Sequence, residues 1–105
     1  MVLYTIYRIK EEGKTIYIGS THTFNRRKSQ HKKRFPNGTI ESIYEYDCDC
    51  IFARCLEKYF IDHFMSKSLL NKVSPVKLAD WNNHKKDIYK LITADDIIKI
   101  RFNKK

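Results

Sequence analysis

Hydrophobic and polar positions along this chain switch repeatedly between a strand period of two and a helical period of three to four. From Val2 to Ile9 the residues are largely β-branched or aromatic, which predicts a strand. Its parity sets Val2, Tyr4 and Ile6 on one face, with Arg8 beyond them, and Thr5, Tyr7 and Ile9 on the other. Glu11-Glu12-Gly13-Lys14 predicts a turn, and Thr15 to Gly19 the returning strand of a β-hairpin. Ile16 and Ile18 are then expected to share a face, opposite Thr15, Tyr17 and Gly19. Pairing Tyr7 with Tyr17 across the turn would bring both phenols to one face.

Helical spacing follows. Thr21 or Thr23 can cap a helix that runs to about Arg34, and Phe35-Pro36-Asn37-Gly38 ends it. Thr39 to Tyr46 predicts a third strand, in which Ile40, Ser42, Tyr44 and Tyr46 alternate with Glu41, Ile43 and Glu45. Asp47 or Asp49 is placed to cap a second helix reaching about Met65. A connector containing Leu69-Leu70-Asn71 comes next. Ser74-Pro75 reads as a helix start, and Asp80 to Ile92 has helical spacing through Trp81, His84, Ile88 and Leu91. Thr93 and Asp96 are spaced like a capping box opening a short last helix. The order β-β-α-β-α-α predicts an α/β fold of the α+β type, a small, mostly antiparallel sheet with helices packed on it.

Composition narrows the picture. A chain of 105 residues with 42% apolar content is expected to form one domain. Only 3 Gly and 2 Pro leave little room for long linkers. No apolar run is long enough for a membrane-spanning helix, and Val2 to Tyr7 is too short for a secretory signal. The 3 cysteines, Cys48, Cys50 and Cys55, fit a reducing compartment, so an intracellular location, cytoplasm or nucleus, is expected. Grouped with His63 they can be read as a metal cluster, but the spacing matches no common zinc pattern; small, mostly buried free thiols are the plainer reading.

The net charge of +9 argues for a polyanionic partner, nucleic acid or a membrane surface, and the thin apolar face of the basic helix, Phe24 and Phe35 at its ends, speaks against the membrane. Between Gly19 and Ile40 there is no acidic residue, and Arg26, Arg27, Lys28, Lys32, Lys33 and Arg34 all lie there. A solvated helix face is the ordinary explanation of such a run. Without acidic partners at i,i+4, however, these cations repel one another, and a phosphate backbone would relieve that repulsion. Arg26, Lys28, Lys32, Lys33 and Arg34 are therefore candidate nucleic-acid contacts.

Several residues carry candidate chemistry. Glu57 shares a helix face with Ala53, Phe60, Ile61 and Phe64, where a carboxylate is costly to bury without a partner. It either pairs at the rim with Lys58 or Arg54 or serves as a hard oxygen ligand for Mg²⁺. Arg27 and His31, at i and i+4, project from one helix face. Beyond generic phosphate contact, the guanidinium suits charge building on a phosphate, and the imidazole can orient or deprotonate water. Tyr7 and Tyr17 are ordinary strand aromatics unless positive charge nearby lowers their phenols enough to act as bases. Asn71 either caps a turn or belongs to a site.

Taken together these residues resemble a known family. The chain resembles a GIY-YIG nuclease domain, whose two name motifs correspond here to Thr5-Ile6-Tyr7 and Tyr17-Ile18-Gly19. Tyr17-Ile18-Gly19-Ser20-Thr21, Phe24-Asn25-Arg26-Arg27 and Gln30-His31 resemble the second motif and first helix. Leu56-Glu57-Lys58-Tyr59-Phe60-Ile61 resembles the metal-binding helix, and Leu70-Asn71 the final asparagine. The resemblance implies a three-stranded antiparallel sheet flanked by helices and divalent-metal-dependent hydrolysis of DNA, with Mg²⁺ or Mn²⁺ as cofactor. It implies that Glu57 binds the metal, Arg27 contacts the scissile phosphate and Tyr17 is the candidate general base. Tyr7 and His31 would assist, and Asn71 would hold geometry or a phosphate. Residues 1–92 would form the nuclease-like domain, with its motif core at 2–72, and residues 93–105 a short helix and basic tail.

Thr5 departs from the family pattern, which has glycine there. By parity its side chain lies on the Tyr7 face, so it bears on activity more than on folding. No zinc-finger or helix-turn-helix signature follows Asn71, so cleavage is expected to have low sequence specificity, to be directed by DNA structure, or to rely on a protein partner. A catalytically inactive nucleic-acid-binding module of the same fold is the alternative.

Overall fold

A computed structural model describes residues 2–64 and 74–93. β1 (Val2–Glu11) and β2 (Lys14–Thr21) form the hairpin, each longer than the sequence pattern predicts. The turn between them is Glu12-Gly13, with positive φ of 51° and 77°. This left-handed pair matches the twist of the flanking strands; Gly13 adopts it freely, whereas Glu12 does so at a cost. After α1 (Phe24–Arg34) comes β3 (Thr39–Cys48), which pairs with the other side of β1. The sheet is antiparallel with strand order β2-β1-β3. α2 (Cys50–Phe64) and α3 (Leu78–Thr93) complete the described elements.

The predicted parity of β1 holds, and its two faces feed two apolar clusters. Ile6 joins Ile18, Ile43, Ala53, Leu56, Phe60, Trp81 and Ile88 in the larger core, under α2 and α3. Tyr7 and Ile9 join Ile40 in a smaller cluster, closed by Phe24 and Phe35 at the two ends of α1. The sheet is thus covered on one face by α2 and α3 and on the other by α1.

Two bulges correct the simple alternation. Between Ile9 and Lys10 the register with β2 shifts, leaving Ile16 as the extra residue. Ile16 therefore packs with the Tyr7 cluster and not beside Ile18. A second shift lies opposite Ile43 on β3, so Ile40 faces α1 while Ile43, Tyr44 and Tyr46 face α2. The hairpin register also sets Tyr7 opposite Gly19 and Ile9 opposite Tyr17, so the two phenols are diagonal neighbours and not a direct pair.

Helix ends show which capping expectations stand. Asp49 caps α2, its Oδ1 accepting the Phe52 N–H at 2.8 Å. Thr23 occupies the N-cap position of α1 but makes no side-chain capping bond; Thr21 Oγ1 accepts the Thr23 N–H instead. Ser74-Pro75 is a turn held by the Ser74 hydroxyl donating to the Val76 carbonyl, and α3 begins only at Leu78. Trp81 and Ile88 of α3 sit in the larger core, as the spacing predicts, with Leu91 packed against it; Ile92, outside that spacing, is buried there as well. Asn71, the connector around it and the predicted last helix from Thr93 lie outside the described residues or at their limit.

Cys48 and Cys55 are buried and Cys50 is exposed. Burial pushes both buried thiols up to about 11, which makes them inert packing groups. Among the described residues no group of three or more His, Cys, Asp or Glu is placed to hold a metal ion. No helix among them is long and apolar enough to cross a membrane.

Candidate active site

The centre of the site is where β1 and β2 pass beneath α1. Tyr7 is 2% exposed, and its hydroxyl lies 2.8 Å from His31 Nε2. His31 is the buried residue of α1, pressed against the sheet while the rest of the helix face turns outward. The Tyr7 and Tyr17 rings are 6.3 Å apart, and both lie about as close to the His31 ring, at 5.4 and 5.5 Å. Phe24 closes one side of this cluster, 6.0 Å from Tyr7, and Phe35 packs against His31 at 6.3 Å.

Gly19 makes this packing possible. A Cβ at that position would lie 2.5 Å from the Tyr7 hydroxyl oxygen and 3.0 Å from a Tyr17 ring carbon. The Tyr7 ring lies directly over the β2 backbone, and only glycine leaves room for it. The requirement is one of space, since Gly19 has no positive φ.

Glu57 comes from α2, on the other side of the sheet. β2 is an edge strand, and Ser20 on it carries its side chain on the Ile18 side, toward α2. Ser20 Oγ donates to Glu57 Oε1 at 2.7 Å, and a Ser20 backbone hydrogen bond reaches the same carboxylate. The edge of β2 thus anchors Glu57 beside the strand that bears Tyr17. The alternative of a rim ion pair with Lys58 is not what forms: Lys58 pairs with Asp62 at 2.9 Å and lies over the Trp81 ring. Glu57 takes no part in the ion pairs among the described residues.

Electrostatics couple these groups. Burial raises the Glu57 carboxyl above its usual range, against the lowering effect of the Ser20 bonds and of Arg54. Burial also raises both phenols. Tyr17 is pushed up further by the Glu57 charge and drawn down by Arg27 and Arg34. Tyr7 is raised far more, with Tyr17 adding to burial and Arg27 opposing it. The positive charge sought for the tyrosines is therefore present, but it does not outweigh their burial. His31 moves the other way: burial, then Arg27 and Arg34, lower its imidazole below 6.5. At neutral pH the cluster holds two protonated phenols and one neutral imidazole.

Tyr7, Tyr17, Arg27 and His31 are thus gathered on the α1 side, with Glu57 anchored at the adjoining strand edge. Arg26, Lys28, Lys32, Lys33 and Arg34 are exposed along α1. Ser20 was not singled out from the sequence: its parity gives it the face of Ile18, but only the packing of α2 on that face brings it to Glu57. Arg34 was expected only at the phosphate backbone, yet it also acts on Tyr17 and His31, three residues beyond His31 on the same helix face. Thr5 is 6% exposed and sits opposite Thr21, which ties down the start of α1 through Thr23.

Glu57 suits a hard divalent cation that keeps most of its waters and takes a single protein carboxylate. No family model, no curated protein and no solved structure matches this chain.

Proposed function

We propose that this protein is a divalent-metal-dependent endonuclease that hydrolyses DNA phosphodiester bonds, directed by DNA structure or weakly by sequence. The observation that carries the reading is the pairing of two unlike environments. One is a buried Tyr7–His31 hydrogen bond with Tyr17 and Arg27 beside it. The other is a partly buried carboxylate, Glu57, fixed by Ser20 and, although Arg54 acts on it from a distance, in no ion pair among the described residues. A protein that only binds DNA needs neither.

In this reading Glu57 would hold the metal ion, Mg²⁺ or Mn²⁺, which would supply Lewis-acid charge to the phosphate and to the attacking water. Arg27 holds the scissile phosphate and meets the negative charge that builds on it. His31 is neutral at working pH, so its imidazole is the group able to take up a proton. Tyr7, hydrogen-bonded to His31, can pass a proton to Nε2 while accepting one from water. Tyr17, protonated and adjacent, donates to a phosphate oxygen in the resting state. The exposed cations of α1 carry the flanking backbone.

A nucleic-acid-binding module without catalysis is the second reading, favoured by Thr5, buried on the Tyr7 face where the GIY-YIG pattern has glycine. Incubation of the purified chain with plasmid DNA, with Mg²⁺ or with chelator, separates the two. Metal-dependent nicking supports the nuclease, and binding without nicking supports the module.

A further inference from the structure

The cations of α1 do not all face the candidate active site. Arg27, His31 and Arg34 turn toward Tyr17 and the β2 side. Lys28 and Lys32, one position further round at i and i+4, turn toward β3. There, with Ser29 and Lys33, they wall a groove of about 660 Å³ whose floor is Gly38, Thr39 and Ile40. Its size falls within the range of small-ligand sites, ~300–1,000 Å³. Helix α1 is therefore a ridge with the Tyr7–His31 cluster on one flank and, on the other, a cationic groove where Thr39 is exposed between the buried Gly38 and Ile40.

A double helix reaches such a ridge with its phosphates alone, because its bases are stacked inside and its surface is too broad to enter the groove. An unpaired nucleotide can place its phosphate on the lysine ammonium groups and its base on the floor and the lysine methylenes. Ile40 also belongs to the small cluster that contains Tyr7, so the floor and the candidate site share one rigid support.

We propose that the groove between α1 and the start of β3 is a second nucleic-acid subsite that takes an unpaired nucleotide, with Lys28 and Lys32 on its phosphate. This rests on the nucleic-acid reading above and names the substrate class: DNA with a single-stranded branch or flap beside the bond that is cut.

The test is binding measured by fluorescence anisotropy with chelator present, so that cleavage plays no part. A plain duplex is compared with the same duplex carrying a short single-stranded flap. The wild type should bind the flap DNA roughly fivefold more tightly, the gain expected from covering part of one base face with the lysine methylenes and Thr39. Lys28→Ala with Lys32→Ala should remove most of that preference and lower the salt dependence of flap binding by roughly 0.7 per lost phosphate contact. Thr39→Gln takes up the space of the base with a polar side chain that offers no aromatic face and leaves every cation in place; it should abolish the preference with duplex affinity unchanged. Amide shifts of Gly38, Thr39 and Ile40 on titration with a thymidine trinucleotide give a measure independent of any variant. Equal binding of the two DNAs by the wild type, a preference that survives Thr39→Gln, or no shift at these amides overturns the subsite while the nuclease reading stands. Failure to bind either DNA overturns the nucleic-acid reading itself.

Discussion

Gly19 and Glu57 show how single residues in this site trade stability against chemistry. Gly19→Ala would set a methyl group against the Tyr7 hydroxyl, so one of the two must move. Overpacking of this kind costs about 1–3 kcal/mol, and chemical denaturation should show a loss in that range. The Tyr7–His31 bond should be lost with it, visible as a changed His31 titration by NMR. Glu57 works in the opposite sense. Its carboxyl is raised in the folded protein, so folding binds the proton more tightly than unfolding does. On this count stability is present at low pH and is lost as pH rises from the unfolded value near 4.5 through the raised folded one. Glu57→Gln keeps a partner for the Ser20 hydroxyl and removes the charge, so it should melt higher than wild type at pH 7 and abolish cutting. His31 has the reverse sign: its imidazole is lowered, so stability is lost as pH falls below 6.5. Activity should fall over the same acid range as the proton acceptor is lost, and a pH–rate profile for His31→Ala should lack that limb.

The elements differ in how fully they were written into local pattern. Antiparallel pairing, the two-faced parity of β1 and the inward side of α3 follow from alternation and helical spacing, and the structure keeps them. The bulges at Ile16 and Ile43 are not legible that way. A bulge is one extra residue in a run that still alternates, and only the partner strand reveals it. For the same reason Tyr7 meets Gly19 and not Tyr17. In the site, helical spacing paired Arg27 with His31, while the Ser20–Glu57 bond depends on how α2 crosses the sheet edge and could not be read locally. The Glu12-Gly13 turn keeps a local conflict, a glutamate at positive φ. Glu12→Asn should stabilise the hairpin by a few tenths to about 1 kcal/mol, read as a higher denaturation midpoint with unchanged slope. Asp49→Ala should cost about 1 kcal/mol through the lost α2 cap.

At the scale of the whole molecule, charge and architecture divide the work. The +9 charge is concentrated along α1, and the carboxylate suited to a metal is held on the far side of the sheet edge by α2. Binding and cutting should therefore separate experimentally. Raising salt should weaken DNA binding steeply, while removing the metal should stop cutting and leave binding in place. The most direct measurement compares wild type with Glu57→Ala on supercoiled and branched DNA, with Mg²⁺ or with chelator, following cleavage and affinity on the same samples. The wild type should cut only with Mg²⁺, and the variant should bind with similar affinity and not cut. A wild type that binds but never cuts, or a variant that cuts as fast as wild type, would contradict the assignment of Glu57 and of the site built around it.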